Sequence, residues 1–118
     1  MKPTIQIVFV LDLKRPWRTI RPWEAEIKSG PKMTWALFNA SAGYSSGHWL
    51  FGKRMLLGRS AFFTFRDAGL AKIGRLRKER KKLEGLMRLP AYIAPGADMT
   101  LKKVVAQIEA FDKTGMVH

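Results

Sequence analysis

Seven cations fall within eleven residues, at Lys72, Arg75, Arg77, Lys78, Arg80, Lys81 and Lys82, opposed in that window only by Glu79. On a helix turning about 100° per residue, Ile73, Leu76, Leu83 and Met87 cluster on one side. Arg75, Arg77, Lys78, Lys81, Lys82 and Arg88 spread over the other, with no carboxylate among them. The chemistry open to such a face is binding: a phosphate backbone trades its condensed counterions for fixed cations without needing any base contact. Solvation alone does not call for a one-signed face. Opposite charges four residues apart support a helix, whereas like charges weaken it, and Lys78–Lys82 and Arg77–Lys81 are like pairs at that spacing. Arg80 falls within the apolar side, where its head either reaches the edge or meets a carboxylate.

A second basic element occupies residues 14–23, where Arg-Pro-Trp occurs twice at a spacing of six. Arg15, Arg18 and Arg21 clamp phosphates in this reading, and Trp17 stacks on unpaired bases. The plainer alternative makes the tryptophans packing residues and the prolines turn formers. Trp23 alternates strictly with Ala25 and Ile27 against Glu24, Glu26 and Lys28, which assigns it to a core; Trp17 stays open between the two roles. Lys53 and Arg54, with Arg59 and Arg66 nearby, form a third basic element. The small, polar stretch 39–47 reads as a loop. Its glycines and serines match neither the Gly-Lys-Ser/Thr phosphate loop nor the Gly-x-Gly-x-x-Gly fingerprint.

The residue types that run reactions are scarce. Cysteine is absent, so thiolate metal sites, disulfides and thiol nucleophiles are excluded. His48 and His118 are the only histidines, and no His-x-x-x-His or paired-carboxylate spacing offers a metal a ligand set. Glu24 and Glu26 share a strand face, the usual solvent side of an amphipathic strand. Ser45, Ser46 and His48 lie too close in sequence to form a triad, and nothing marks an orienting acid. No catalytic residue, metal or cofactor is expected.

The elements that must position the basic residues follow from periodicity. Residues 4–13 carry Ile5, Ile7, Phe9, Leu11 and Leu13 at alternate positions, with Val8 and Val10 between them, the pattern of a central strand covered on at least part of both faces. Residues 23–28 and 33–38 flank Ser29-Gly30-Pro31-Lys32 and predict a β-hairpin. Residues 48–57 read either as one kinked strand or as a second tight hairpin. Thr64 and Asp67 form a capping-box start for a helix over 65–89, which Pro90 stops. A connector over 89–97 leads to a helix over 99–114, capped by Asp98 and ended at Gly115. Its apolar stripe is Leu101, Val104, Val105, Ile108 and Phe111.

The 118 residues, with 47% hydrophobic content, suffice for a single folded domain. The expected fold is α+β: an antiparallel sheet of three to five strands from residues 4–63, packed against two C-terminal helices. The first apolar run is far shorter than the roughly 20 residues a bilayer span requires, so a cytoplasmic protein is expected. Net charge is +13, which governs partners more than fold. The functional expectation is a small non-enzymatic protein binding DNA or RNA. Its contacts are Arg75, Arg77, Lys78, Lys81 and Lys82 on the helix, Arg15, Trp17, Arg18 and Arg21 on the Arg-Pro-Trp segment, and Lys53 and Arg54. The alternative is a protein-interaction module, an inhibitor or assembly subunit, that docks on an acidic partner through Trp35, Phe38, Tyr44, Trp49 and Phe51. Membrane attachment ranks last, because the apolar side of the basic helix is needed for a core.

Overall fold

The computed structural model describes residues 3–90 and 95–117. Its fold is α+β. Five strands, β1 (Ile5–Val10), β2 (Arg21–Ser29), β3 (Thr34–Leu37), β4 (Arg54–Leu56) and β5 (Ala61–Phe62), come from the N-terminal half. Two helices, α1 (Phe65–Leu86) and α2 (Ala97–Thr114), come from the C-terminal half. The strands form one antiparallel sheet in the order β4-β3-β2-β1-β5. The expected hairpin is β2–β3, in register from Ser29 opposite Thr34 to Glu26 opposite Leu37, and its turn is closed by the Gly30 N–H donating to the Met33 carbonyl.

The chain divides into two compact units. The sheet unit comprises the described residues of Met1–Asp12 and Ile20–Ala68; the helical unit comprises those of Leu13–Thr19 and Gly69–His118. In the sheet unit, Val8, Val10, Ala25, Ala36, Phe38, Leu50 and Ala61 are buried together, with Trp23, Ile27 and Tyr44 packed against them. Phe38 and Leu50 belong to the long connection between β3 and β4, so that connection covers one face of the sheet. It is ordered by a 3-10 turn at Ala40–Ala42, capped by the Asn39 side chain, and by the Tyr44 hydroxyl donating to the Glu24 carbonyl. Burial, and secondarily the charge of Glu24, raise the Tyr44 phenol above its usual range.

The helical unit has its own core of Ile73, Leu76, Leu83, Ala97, Val104 and Ile108, against which Trp17, Leu101 and Phe111 pack. The α2 stripe therefore lies where its spacing predicts. Gly115 ends α2 in the left-handed conformation at φ 72°, its N–H bonded to the Phe111 carbonyl. Thr64 starts α1, with its hydroxyl accepting from the Asp67 N–H at 3.1 Å.

β1 is covered on part of both faces: Val8 and Val10 are buried on one, and on the other Phe9 is half-buried with its ring edge-on to Phe65, while Ile5 is exposed and Ile7 is 54% exposed. Three expectations need correction. Residues 48–57 are neither a kinked strand nor a hairpin but a run of turns leading into β4. Helix α1 stops at Leu86, with residues 87–89 in a turn; Gly85, a poor helix former, sits at this end. Gly96, not Asp98, is the N-cap of α2 and makes no side-chain cap bond. Asp98 stands in the first turn instead, where its charge faces the positive end of the helix dipole. Residues 91–94 of the expected connector, and His118, lie outside the described residues.

Candidate nucleic-acid interface

Helix α1 separates its residues by angle as its spacing requires. Ala68, Lys72, Ile73, Leu76 and Leu83 are buried, and Arg77, Lys78, Lys81 and Lys82 are exposed on the opposite arc. Arg75 is half-buried at the border, and Arg88 is exposed just past the helix end. Gly74 and Gly85 lie on the same outward arc, and among the described residues nothing beyond the helix's own backbone and the adjoining residues comes within 4 Å of where a Cβ would stand.

Two of the cations have carboxylate partners. Arg80 donates through Nε to Glu84 Oε1 at 2.9 Å, one helical turn on, which resolves its position at the edge of the apolar side. Arg77 donates to Asp112 Oδ1 of α2 at 3.3 Å, with both side chains more than half exposed. An exposed pair of this kind contributes at most about 1 kcal/mol and yields readily to a stronger anion. Among the described residues, no carboxylate pairs with Lys78, Lys81 or Lys82.

Lys72 does not belong to this face. It is 1% exposed, on the core side of the helix, and burial pushes its ammonium down to about 8. The one-signed surface is therefore narrower than the seven-cation run suggests.

The two Arg-Pro-Trp copies part company. In the first, the Arg18 N–H closes a turn on the Arg15 carbonyl at 3.0 Å, Pro16 is buried, and Trp17 is half-buried against the helical core. Gln107 Nε2 of α2 donates to the Trp17 carbonyl at 2.7 Å. This packing displays Arg15 and Arg18 at the surface of the unit that carries α1. The second copy opens β2, with Arg21 and Pro22 exposed and Trp23 facing the sheet core. Arg15, Trp17, Arg18 and the α1 cations thus share the helical unit, while Arg21, Lys53 and Arg54 belong to the sheet unit.

Lys53 and Arg54 have an aromatic setting that their sequence positions do not announce. Lys53 Nζ lies 5.1 Å from the Trp49 ring centre, and the Arg54 guanidinium carbon lies 5.1 Å from that of Trp35. The five residues named above as a possible anchor patch separate sharply: Phe38 is fully buried, Trp35 and Tyr44 are half-buried, and Trp49 and Phe51 are exposed. The available signal was an aromatic run followed by Gly52 and two cations, but pairing Lys53 with Trp49 depends on how the turn closes.

Among the described residues, no group of three or more histidines and carboxylates converges to hold a metal, and no helix is long and apolar enough to cross a membrane. No family model, curated protein or solved structure matches the chain.

Proposed function

We propose that this is a small, non-enzymatic nucleic-acid-binding protein of the cytoplasm that grips the phosphate backbone of DNA or RNA through the outward face of α1. The supporting observation is that Lys78, Lys81 and Lys82 stand exposed on one arc and that, among the described residues, no carboxylate is paired to them. An exposed cluster of like charges costs helix stability unless an anion relieves it. Counterion release from a polyanion provides that relief together with most of the affinity. Arg75, Arg77 and Arg88 border the same face, and Arg15 and Arg18 add charge within the same unit. Trp17 acts here by packing, holding the arginine turn in place. Attachment to an anionic membrane would require an apolar face to insert, whereas Ile73, Leu76 and Leu83 are buried in the core.

The test is direct binding of mixed-sequence DNA and RNA oligonucleotides, single- and double-stranded, at low and at physiological salt. Binding at low salt that weakens steeply as salt rises supports the reading. Absence of binding at low salt, together with an acidic protein that the chain retains after nuclease treatment, would replace it with a protein-docking role.

A further inference from the structure

The exposed turn between β3 and β4 combines features that the phosphate-binding face of α1 lacks. Trp49 is 58% exposed and Phe51 is 42% exposed, although rings of that size normally gain by burial. The backbone beneath them is fixed. The Phe51 N–H donates to the His48 carbonyl at 3.0 Å, the Lys53 N–H to the Leu50 carbonyl at 2.9 Å, and the Gly52 N–H to the Phe38 carbonyl at 2.8 Å. Gly52 closes this last contact at φ 80°, a left-handed conformation that other residues adopt only with strain. The Leu50 N–H donates to His48 Nδ1 at 3.1 Å, and the fully buried Leu50 side chain anchors the turn in the sheet core. Trp49 also meets Trp23 edge-on, with ring centres 5.8 Å apart and planes at 83°.

The stretch of chain that builds this platform carries charge of one sign. No aspartate or glutamate occurs between Glu26 and Asp67, a stretch that includes Lys53, Arg54, Arg59 and Arg66. Glu24 and Glu26 alternate with Trp23 along β2, and Arg54 is in register with Glu26 through Leu37, so these three side chains share the sheet face opposite the ring that meets Trp49. A ligand that fits has flat apolar faces joined by an anionic backbone. We propose that the turn carrying Trp49, Phe51 and Lys53 is a stacking site for the unpaired bases of single-stranded nucleic acid. The bases lie on Trp49 and Phe51, and Lys53 holds the phosphate between them. In the free protein the Lys53 ammonium stands over the Trp49 ring; a phosphate draws it aside and uncovers that ring face for a base. A duplex offers the same phosphates but keeps its base faces inside its own stack. The site therefore adds a preference for single strands to the sequence-independent grip of α1.

This inference rests on the nucleic-acid reading, and one experiment separates their failures. Affinities are measured for a single-stranded oligonucleotide, a fully abasic strand of equal length and a duplex, using the full chain and the variants Trp49→Ala and Trp49→Phe. Trp49→Ala weakens binding to the base-bearing single strand by roughly 5- to 100-fold, Trp49→Phe retains most of it, and neither changes binding to the abasic strand or the duplex. Unchanged single-strand affinity in Trp49→Ala, or an equal loss on all three ligands, overturns the stacking site and leaves the α1 reading standing. If the unmodified chain binds none of the three at low salt, both fall. Trp49→Phe also keeps the turn filled with a ring. A loss of single-strand binding in that variant as large as in Trp49→Ala, with the fold intact by circular dichroism, would likewise count against stacking.

Discussion

Lys72 shows how much one side chain can depart from its neighbours' behaviour. It lies in the middle of a cationic run, yet on the helix it falls within about 40° of Leu76 and Leu83, and it is buried with them. Burial holds its ammonium at about 8, against 10.5 in an unfolded chain. Between those values the folded protein carries fewer protons than the unfolded one, so stability rises as pH climbs from about 8 to 10.5. The gain should approach about 3 kcal/mol, and a Lys72→Met variant should lack it. Denaturant titrations of both proteins at pH 7.5 and 10 check this through the difference in their pH dependence. The helical spacing already contained the information. Residue type argued for the solvent face and angle argued for the core; angle prevailed because Ala68, Leu76 and Leu83 on the same arc are apolar and buried. Trp17 resolves the other way: its packing against the helical core depends on Gln107, which lies 90 residues along the chain, and no local pattern conveys that.

At the scale of elements, what local spacing controls was legible and what tertiary closure controls was not. The β2–β3 hairpin, the Thr64 start of α1 and the Gly115 end of α2 depend on neighbours in sequence, and each lies where its residues place it. The connection from Phe38 to Lys53 does not. Its form depends on the Gly52 N–H reaching back to the Phe38 carbonyl and on Leu50 entering the sheet core. β1 is a mixed case, because its two apolar faces gave no basis for choosing the more deeply buried one. The structure buries the even positions Val8 and Val10, so Val8→Ala should cost about 2 kcal/mol by leaving a cavity, whereas Ile7→Thr should stay within about 0.5 kcal/mol. Thermal unfolding of the two variants side by side reads the difference, and equal costs would mean that Ile7 is covered as well. In α1, Gly74 and Gly85 face open space. Replacing either by alanine should stabilise the protein by about 0.5–1 kcal/mol, visible as a higher unfolding midpoint, while every cation of the outward face stays in place.

For the molecule as a whole, the charge of +13 is divided rather than spread. The helical unit bears a ridge of lysines along α1, and the sheet unit bears a smaller group of cations mixed with exposed aromatic rings. In the proposed function the ridge binds any phosphate backbone, and the aromatic turn selects strands with free bases. Net charge pointed to a polyanionic partner from the outset. The structure narrows the candidate surface to a few exposed side chains by half-burying Arg75 and giving Arg77 a carboxylate partner. In the proposed function Lys78, Lys81 and Lys82 neutralise phosphates, and the salt dependence of affinity reads that neutralisation out. The logarithm of the association constant for a duplex oligonucleotide should fall linearly with the logarithm of salt concentration. Replacing all three lysines by alanine should make that slope shallower by roughly 2–3, about 0.9 for each phosphate no longer neutralised. A slope left unchanged by the triple replacement would contradict the account.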